Sequence, residues 1–272
     1  MIKLLNLEKP LQLTDEVIKA KKDKYKLLIE QKKTKPKINT SVWKDGYIVD
    51  RLKQMSRNKC CYCECFLDEE SKYLEVDHFH PKSLYIDEVI DWENLLPTCK
   101  RCNKKKDSHD TKNEPIIHPK HDNPREYLYI YEGHYYEIND YSEEGREYVK
   151  IGTRTRKILA LNDDAVSIPR NRIKDRALSS LETICDFANV LFEKVICTSE
   201  DQSELRNRTI SLLNEAQPES AYSATVATCI LEHPNYCRLK NILEQLGIWN
   251  DDIQALHNTA DSISMPSHNS RC

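Results

Sequence analysis

The sequence predicts an α+β chain, mainly α, in which a small metal-stapled unit is embedded in a largely helical chain. Three observations predict it. Apolar residues recur at helical spacing near the N-terminus and over most of the second half. Six of the eleven cysteines fall within residues 60–102, in pairs spaced as metal ligands are. One stretch, YLYIY and HYYEI around Glu132-Gly133, alternates as a β-hairpin does. With 39% hydrophobic and 31% charged residues, the 272-residue chain can build a sizeable core in one large domain or two modest ones.

Residues 1–56 read as a basic helical arm. Thr14 is placed to cap a first helix, Asp15 and Glu16 occupy its first turn, and Val17, Ile18, Tyr25, Leu28 and Ile29 share one side until Pro36 ends the segment. A second helix is expected over about 41–56, with Trp43, Tyr47, Ile48, Leu52 and Met55 as its buried stripe. Residues 57–125 form the cysteine-bearing unit. Its cysteine pairs flank a short strand, YLEVDHF, followed by a helix starting at Asn94-Leu95-Leu96 and a Pro-rich loop over 113–125. Residues 126–260 are a hairpin followed by helices. The hairpin's tyrosines could stack bases, but packed strand tyrosines are the commoner case. The chain turns helical from about 146. A long helix spans about 168–197 with Pro169 in its first turn, and further helices are expected near 201–215, 219–232, 236–246 and 250–258. The Ser-rich residues 261–272 are expected to fray as a flexible tail.

Composition excludes several function classes. No run approaches eighteen apolar residues, so no membrane span is expected. The start, MIKLLNLEKPLQL, lacks a long apolar stretch and a small-residue cleavage site, which points to a cytoplasmic, reducing location where clustered thiols hold metal rather than disulfides. The five glycines are scattered, so neither a P-loop nor a dinucleotide loop can form, and any ATP chemistry must come from a partner. Residues 1–60 carry 16 Lys and Arg against 7 Asp and Glu, whereas the remainder carries 25 against 37. A basic front end on an acidic body suits an anionic partner, although a solvated lysine-rich helix face is the commoner meaning of such a run.

The strongest local signal is Cys60-Cys61-Tyr62-Cys63, resumed as Cys99-Lys100-Arg101-Cys102. Two Cys-x-x-Cys pairs close a tetrahedral thiolate cage around a structural Zn²⁺, and Cys60, Cys63, Cys99 and Cys102 are the expected ligands. The spacing also admits Cys61 or Cys65 as a ligand. Between the pairs lie Leu74-Glu75-Val76-Asp77-His78-Phe79-His80-Pro81-Lys82-Ser83 and Trp92-Glu93-Asn94-Leu95-Leu96-Pro97, and Asn103 follows Cys102. This arrangement resembles the HNH nuclease family, whose fold is a zinc-stapled ββα-metal finger. The resemblance implies that His78 is the general base, that Asp77 and Asn103 bind catalytic Mg²⁺ or Mn²⁺, and that Asn94 holds the loop and orients His78. The third position of the motif, often His in the family, is Asn103 here. The chemistry matches these residue types. A neutral imidazole takes a proton from water near pH 7, and a hard cation on oxygen ligands stabilises a phosphodiester's charge. His80 either touches the scissile phosphate or the metal, or fills the strand-to-loop corner. His109, His118 and His121 sit in polar loop and are not expected to be catalytic. Lys82, Lys100, Arg101, Lys104, Lys105 and Lys106 are candidates for phosphate contacts that give affinity without sequence choice.

The match extends beyond the finger. Together with Val76-Asp77-His78-Phe79 and Trp92-Glu93-Asn94-Leu95-Leu96, the stretches Thr155-Arg156-Lys157-Ile158-Leu159-Ala160-Leu161-Asn162-Asp163 and Pro169-Arg170-Asn171-Arg172 are similar to the HNH subunit of Septu-type anti-phage systems and its retron-associated relatives. That resemblance implies an ABC-type ATPase partner. The substrate is read as nucleic acid, DNA ahead of RNA, and the amphipathic helices beyond the finger, with the basic N-terminal arm, are read as surfaces for holding the partner. Two rival readings are an HNH-type nuclease that cleaves RNA, for example tRNA, and a non-catalytic zinc module that binds nucleic acid or protein.

Overall fold

The computed structural model describes residues 1–69, 73–140, 142–193 and 198–266, and among these the chain is mainly helical with two small sheets. It divides into two compact units. The first holds Met1, Lys3–Asn123 and Lys157–Ala160, so the expected arm and cysteine unit fold together.

In the first unit, α1 (Asp15–Lys32) begins where Thr14 Oγ1 accepts a hydrogen bond from the Val17 amide at 3.3 Å. Tyr25 is its one fully buried residue. Much of the arm's positive charge is used locally: Lys21, Lys22 and Lys26 pair with Asp45, Asp91 and Asp87 at 2.7, 2.6 and 2.6 Å. Such pairs each contribute about 1 kcal/mol at most, but three in a row fix which face of α1 turns inward. The second helix, α2 (Gly46–Ser56), starts later than its sequence suggests and buries Ile48, Leu52 and Met55. It stops at Arg57 and Asn58, whose φ values of 54° and 56° turn the chain into the first cysteine pair.

Strand β1 (Leu74–His78) pairs antiparallel with β2 (Leu95–Cys99), in a register that sets Leu74 against Cys99 and His78 against Leu95. The helix expected at Asn94 is therefore a strand, preceded by one 3-10 turn over Trp92–Asn94. All five β2 residues are buried, and a continuous apolar run of that length fits either element. Pro97 has no amide to donate, yet its carbonyl accepts the Cys61 amide at 2.9 Å, tying the cysteine turn to the strand. The helix comes next, as α3 (Lys100–Lys106). The order β1, β2, α3 brings both cysteine pairs to one end.

The second unit holds Ile2, Pro124–Arg156 and Leu161–Cys272. Its hairpin is β3 (Leu128–Tyr131) and β4 (His134–Glu137), turning at Glu132-Gly133, where both φ values are positive. Gly133 has a φ of +74°, which favours glycine, and a Cβ there would also displace the Asn171 side chain, whose Oδ1 would lie 1.9 Å away. Gly152 on α4 (Glu143–Ile158) is required by backbone, since a Cβ there would meet the Tyr127 carbonyl at 2.4 Å.

Next comes α5 (Asp164–Glu193), which starts earlier than expected, so that Pro169 lies inside the helix rather than in its first turn. The rest of the long-helix span, 194–197, lies outside the described residues. Then follow α6 (Ser199–Glu215), α7 (Ser223–Leu231), α8 (Pro234–Gln245) and α9 (Asp251–Ile263). Eight of the nine α7 residues are buried, as expected of a helix enclosed on all sides, and α5, α6, α8 and α9 all pack against it. Asn162 clamps Tyr135 through both backbone groups at 2.9 and 2.8 Å, and the fully buried Arg170 donates to the Gly133 and Leu161 carbonyls at 2.8 and 2.9 Å. The Leu-Asn-Asp and Pro-Arg-Asn-Arg stretches thus form a polar joint between hairpin and α5. The tail is ordered further than its composition suggests: α9 continues to Ile263 and Met265 is fully buried, while 267–272 lie outside the described residues.

Candidate active site and metal centre

Cys60, Cys63, Cys99 and Cys102 are all buried, and their sulfurs lie within 4.8 Å of one another. The Cys63–Cys99 sulfur separation is 3.9 Å. A tetrahedral Zn²⁺ with bonds of about 2.3 Å needs sulfurs about 3.8 Å apart, so the cage fits that ion. Among the described residues this is the one cluster with such geometry, and neither Cys61 nor Cys65 belongs to it.

Beside β1 lies a cleft of about 680 Å³, lined by Glu75, Asp77, His78, Lys82, Lys100, Asn103 and Lys104, with Tyr25 and Ile29 of α1 as a further wall. It gathers residues from three elements that the sequence separates by more than seventy positions. His78 is buried, and its Nε2 lies 2.9 Å from the Val89 carbonyl. A carbonyl only accepts, so Nε2 carries the proton and Nδ1 holds a lone pair. Nδ1 is buried and takes no hydrogen bond from protein. Burial, with the Lys82 cation adding to it, pushes the His78 pKa down to about 4, which keeps the ring neutral at physiological pH. Trp43 packs edge-on against it at 4.5 Å between ring centres.

Asn94 fixes the loop that supplies this carbonyl. Its Oδ1 accepts the His80 amide at 2.7 Å, and its Nδ2 donates to the His80 and Glu88 carbonyls at 3.1 and 3.0 Å. Val89 is the next residue after Glu88, so the Asn94 amide and the His78 ring share one framework.

Asp77 is buried and anchored through both oxygens. The Tyr62 hydroxyl donates to Oδ2 at 2.8 Å and the Lys106 ammonium to Oδ1 at 3.0 Å. Each carboxylate oxygen keeps a second lone-pair site. Asn103, on α3, donates its Nδ2 to Glu75 Oε2 at 2.7 Å. One carboxylate and one amide oxygen at a shared cleft form a hard donor set that suits Mg²⁺ or Mn²⁺.

The structure distributes the other candidates unevenly. Lys82, Lys100 and Lys104 are exposed and line the cleft. Lys105 is exposed but does not line it. Two phosphate candidates are corrected. Lys106 is fully buried, bonding Asp77 and the His78 carbonyl at 2.7 Å, so it holds the site from within. Arg101 donates to the Leu159 and Ala160 carbonyls at 3.0 and 2.7 Å, which occupies its guanidinium. His80 lies outside the cleft lining, with Nδ1 2.7 Å from Thr111 Oγ1 and its ring against Phe79 and Tyr85, surroundings that favour the strand-to-loop corner over a phosphate or metal contact. His118 and His121 stack on each other at 4.2 Å, also away from the cleft. Sequence reasoning missed Tyr62 and Glu75. The signal for Glu75 was available, since residues i and i+2 of a strand share a face and Glu75 stands two before Asp77.

An imidazole with a fixed tautomer, an anchored carboxylate and an amide on one ββα finger beside a four-cysteine cage define an HNH endonuclease. The family model for HNH endonucleases matches residues 60–109, which contain every one of these groups. The chain is also similar to the Septu protein PtuB of Bacillus thuringiensis, 40% identical over 222 residues that cover 81% of this chain and 82% of the relative. A Septu protein PtuB of Bacillus mycoides (strain KBAB4) is 26% identical over 194 residues, 60% of this chain and 62% of that one. The chain belongs to the Septu PtuB family.

Proposed function

We propose that the chain is a metal-dependent nuclease that hydrolyses phosphodiester bonds of DNA, as the cutting subunit of an anti-phage complex controlled by an ABC-type ATPase. The observation that carries the chemistry is the His78–Val89 hydrogen bond, which commits Nδ1 to accepting a proton at a cleft that Asp77 and Asn103 also line. His78 takes the proton of the attacking water at Nδ1, and Asn94 keeps the loop carbonyl in place while it does so. Asp77 and Asn103 would hold Mg²⁺ or Mn²⁺, which when bound neutralises charge on the phosphate and the departing oxygen. Lys82, Lys100 and Lys104 contact neighbouring phosphates, which favours backbone recognition over reading of sequence. Zn²⁺ in the cysteine cage is structural, because four thiolates leave no open position.

The test is incubation of the purified chain, with and without its ATPase, with plasmid DNA and with total RNA, in Mg²⁺, Mn²⁺ or EDTA. Plasmid cleavage that needs the divalent ion and is lost in His78→Ala is the expected result. Cleavage confined to RNA would replace DNA as the substrate. Full activity in EDTA would overturn the metal-dependent mechanism.

A further inference from the structure

Glu75 is a cleft residue that the proposed reaction does not use. It is half-buried on β1, two positions before Asp77, and its Oε2 lies 2.7 Å from Asn103 Nδ2 on α3. An ionised carboxylate only accepts hydrogen bonds, whereas an amide has a donating and an accepting end. Facing a carboxylate, Asn103 can present only its nitrogen. Its Oδ1 therefore leaves Cγ on the other side, and it takes no hydrogen bond among the described residues. With no such partner the amide could turn over and offer N–H groups where a cation needs an oxygen.

The geometry points to Glu75 as a positioning residue: it sets the Asn103 amide so that Oδ1, at the cleft that Asp77 also lines, is the ligand offered to a divalent cation. This rests on Asp77 and Asn103 being the metal ligands. Glu75 acts here through an acceptor atom and not through its charge, which separates it from a third ligand.

Mn²⁺ binding to the full-length chain, followed by titration calorimetry without substrate, tests this independently of catalysis. Zinc content and circular dichroism check the fold of each variant. Glu75→Ala should weaken Mn²⁺ binding by about tenfold or more, as loss of an outer hydrogen-bond partner does. Glu75→Gln keeps an acceptor for Asn103 Nδ2 and should bind Mn²⁺ nearly as the wild type does. Equal losses in the Gln and Ala variants would overturn the proposal in favour of direct ligation, and an unchanged Ala variant would overturn it in favour of a bystander. The reversed pair gives a second reading. Asn103→Asp alone sets two carboxylates face to face, and adding Glu75→Gln restores an amide–carboxylate bond. Recovery of Mn²⁺ binding in the double variant supports positioning, and no recovery counts against it. Asp77→Ala separates the two levels. If it binds Mn²⁺ as the wild type does, the metal site itself is misplaced. If it loses binding while Glu75→Ala does not, only the role of Glu75 falls.

Discussion

Removing the His78 imidazole and removing the Lys106 ammonium are expected to fail in different ways. His78→Ala takes away the imidazole proposed as the base, and general-base loss costs about 10²- to 10⁴-fold in rate. Plasmid cleavage should fall by that factor while zinc content and DNA affinity stay near wild type. A variant with normal cleavage would move the base elsewhere. Lys106→Met leaves the Asp77 carboxylate buried beside an apolar chain. Breaking one side of a buried ion pair costs about 3–5 kcal/mol, so a urea midpoint should drop sharply. A lysine that served only as a phosphate contact would leave that midpoint unchanged. Tyr62→Phe is milder, because it removes one neutral donor from Asp77 and should weaken Mn²⁺ binding by about tenfold. Asp77, His78, Asn94 and Asn103 stand out as candidates in the sequence because they sit at fixed spacing in one motif, and the structure brings Asp77, His78 and Asn103 to one cleft. The roles of Tyr62, Glu75 and Lys106 were not, because each depends on a partner in another element, and spacing alone does not say which lysine of a basic run turns inward.

Among the elements, α3 carries two kinds of cation on one short helix. Lys100 and Lys104 line the cleft, whereas Arg101 points to the carbonyls of Leu159 and Ala160 just after α4. Lys100→Ala and Lys104→Ala should each weaken DNA binding and reduce the slope of log affinity against log salt by about 0.9, measured by fluorescence anisotropy over a salt series. Arg101→Ala should leave that slope unchanged and lower stability, by about 1.5–3 kcal/mol for bonds made by a charged donor. A slope change in Arg101→Ala would return it to the phosphate-binding set. The sequence read a helix well where cap and periodicity agree, as at Thr14. It misread Leu95–Cys99, because a buried five-residue apolar run has no period to measure and only its pairing with β1 makes it a strand. It also placed the start of α5 too late, because Pro169 marks a helix start in isolation, and here packing of the buried Val166, Ser167 and Arg170 carries the helix back past it.

At the scale of the whole molecule, chemistry and mass are divided. Every candidate catalytic and metal-binding residue lies in the first unit, and the second has a core of its own built around α7. Residues 124–272 carry 16 Lys and Arg against 23 Asp and Glu, a balance that repels phosphate backbones and disfavours a second nucleic-acid surface. Five packed helices are far more than a small finger needs for stability. A nuclease that recognises backbone more than sequence also needs restraint, and this chain's scattered glycines give it no nucleotide loop with which to gate itself. These facts together favour the second unit as the surface that holds an ATPase. The expected outcome is that the two proteins co-expressed elute as one complex in size-exclusion chromatography at micromolar concentration, and that ATP changes the rate of plasmid cleavage only when the ATPase is present. Charge reversals on the acidic groove of α5 and α6, at Glu204 and Glu215, locate the contact if they release the ATPase while leaving DNA affinity of the isolated chain unchanged. Two separate peaks, with cleavage indifferent to both ATPase and ATP, would leave the helices as scaffold and the chain as a nuclease that acts alone.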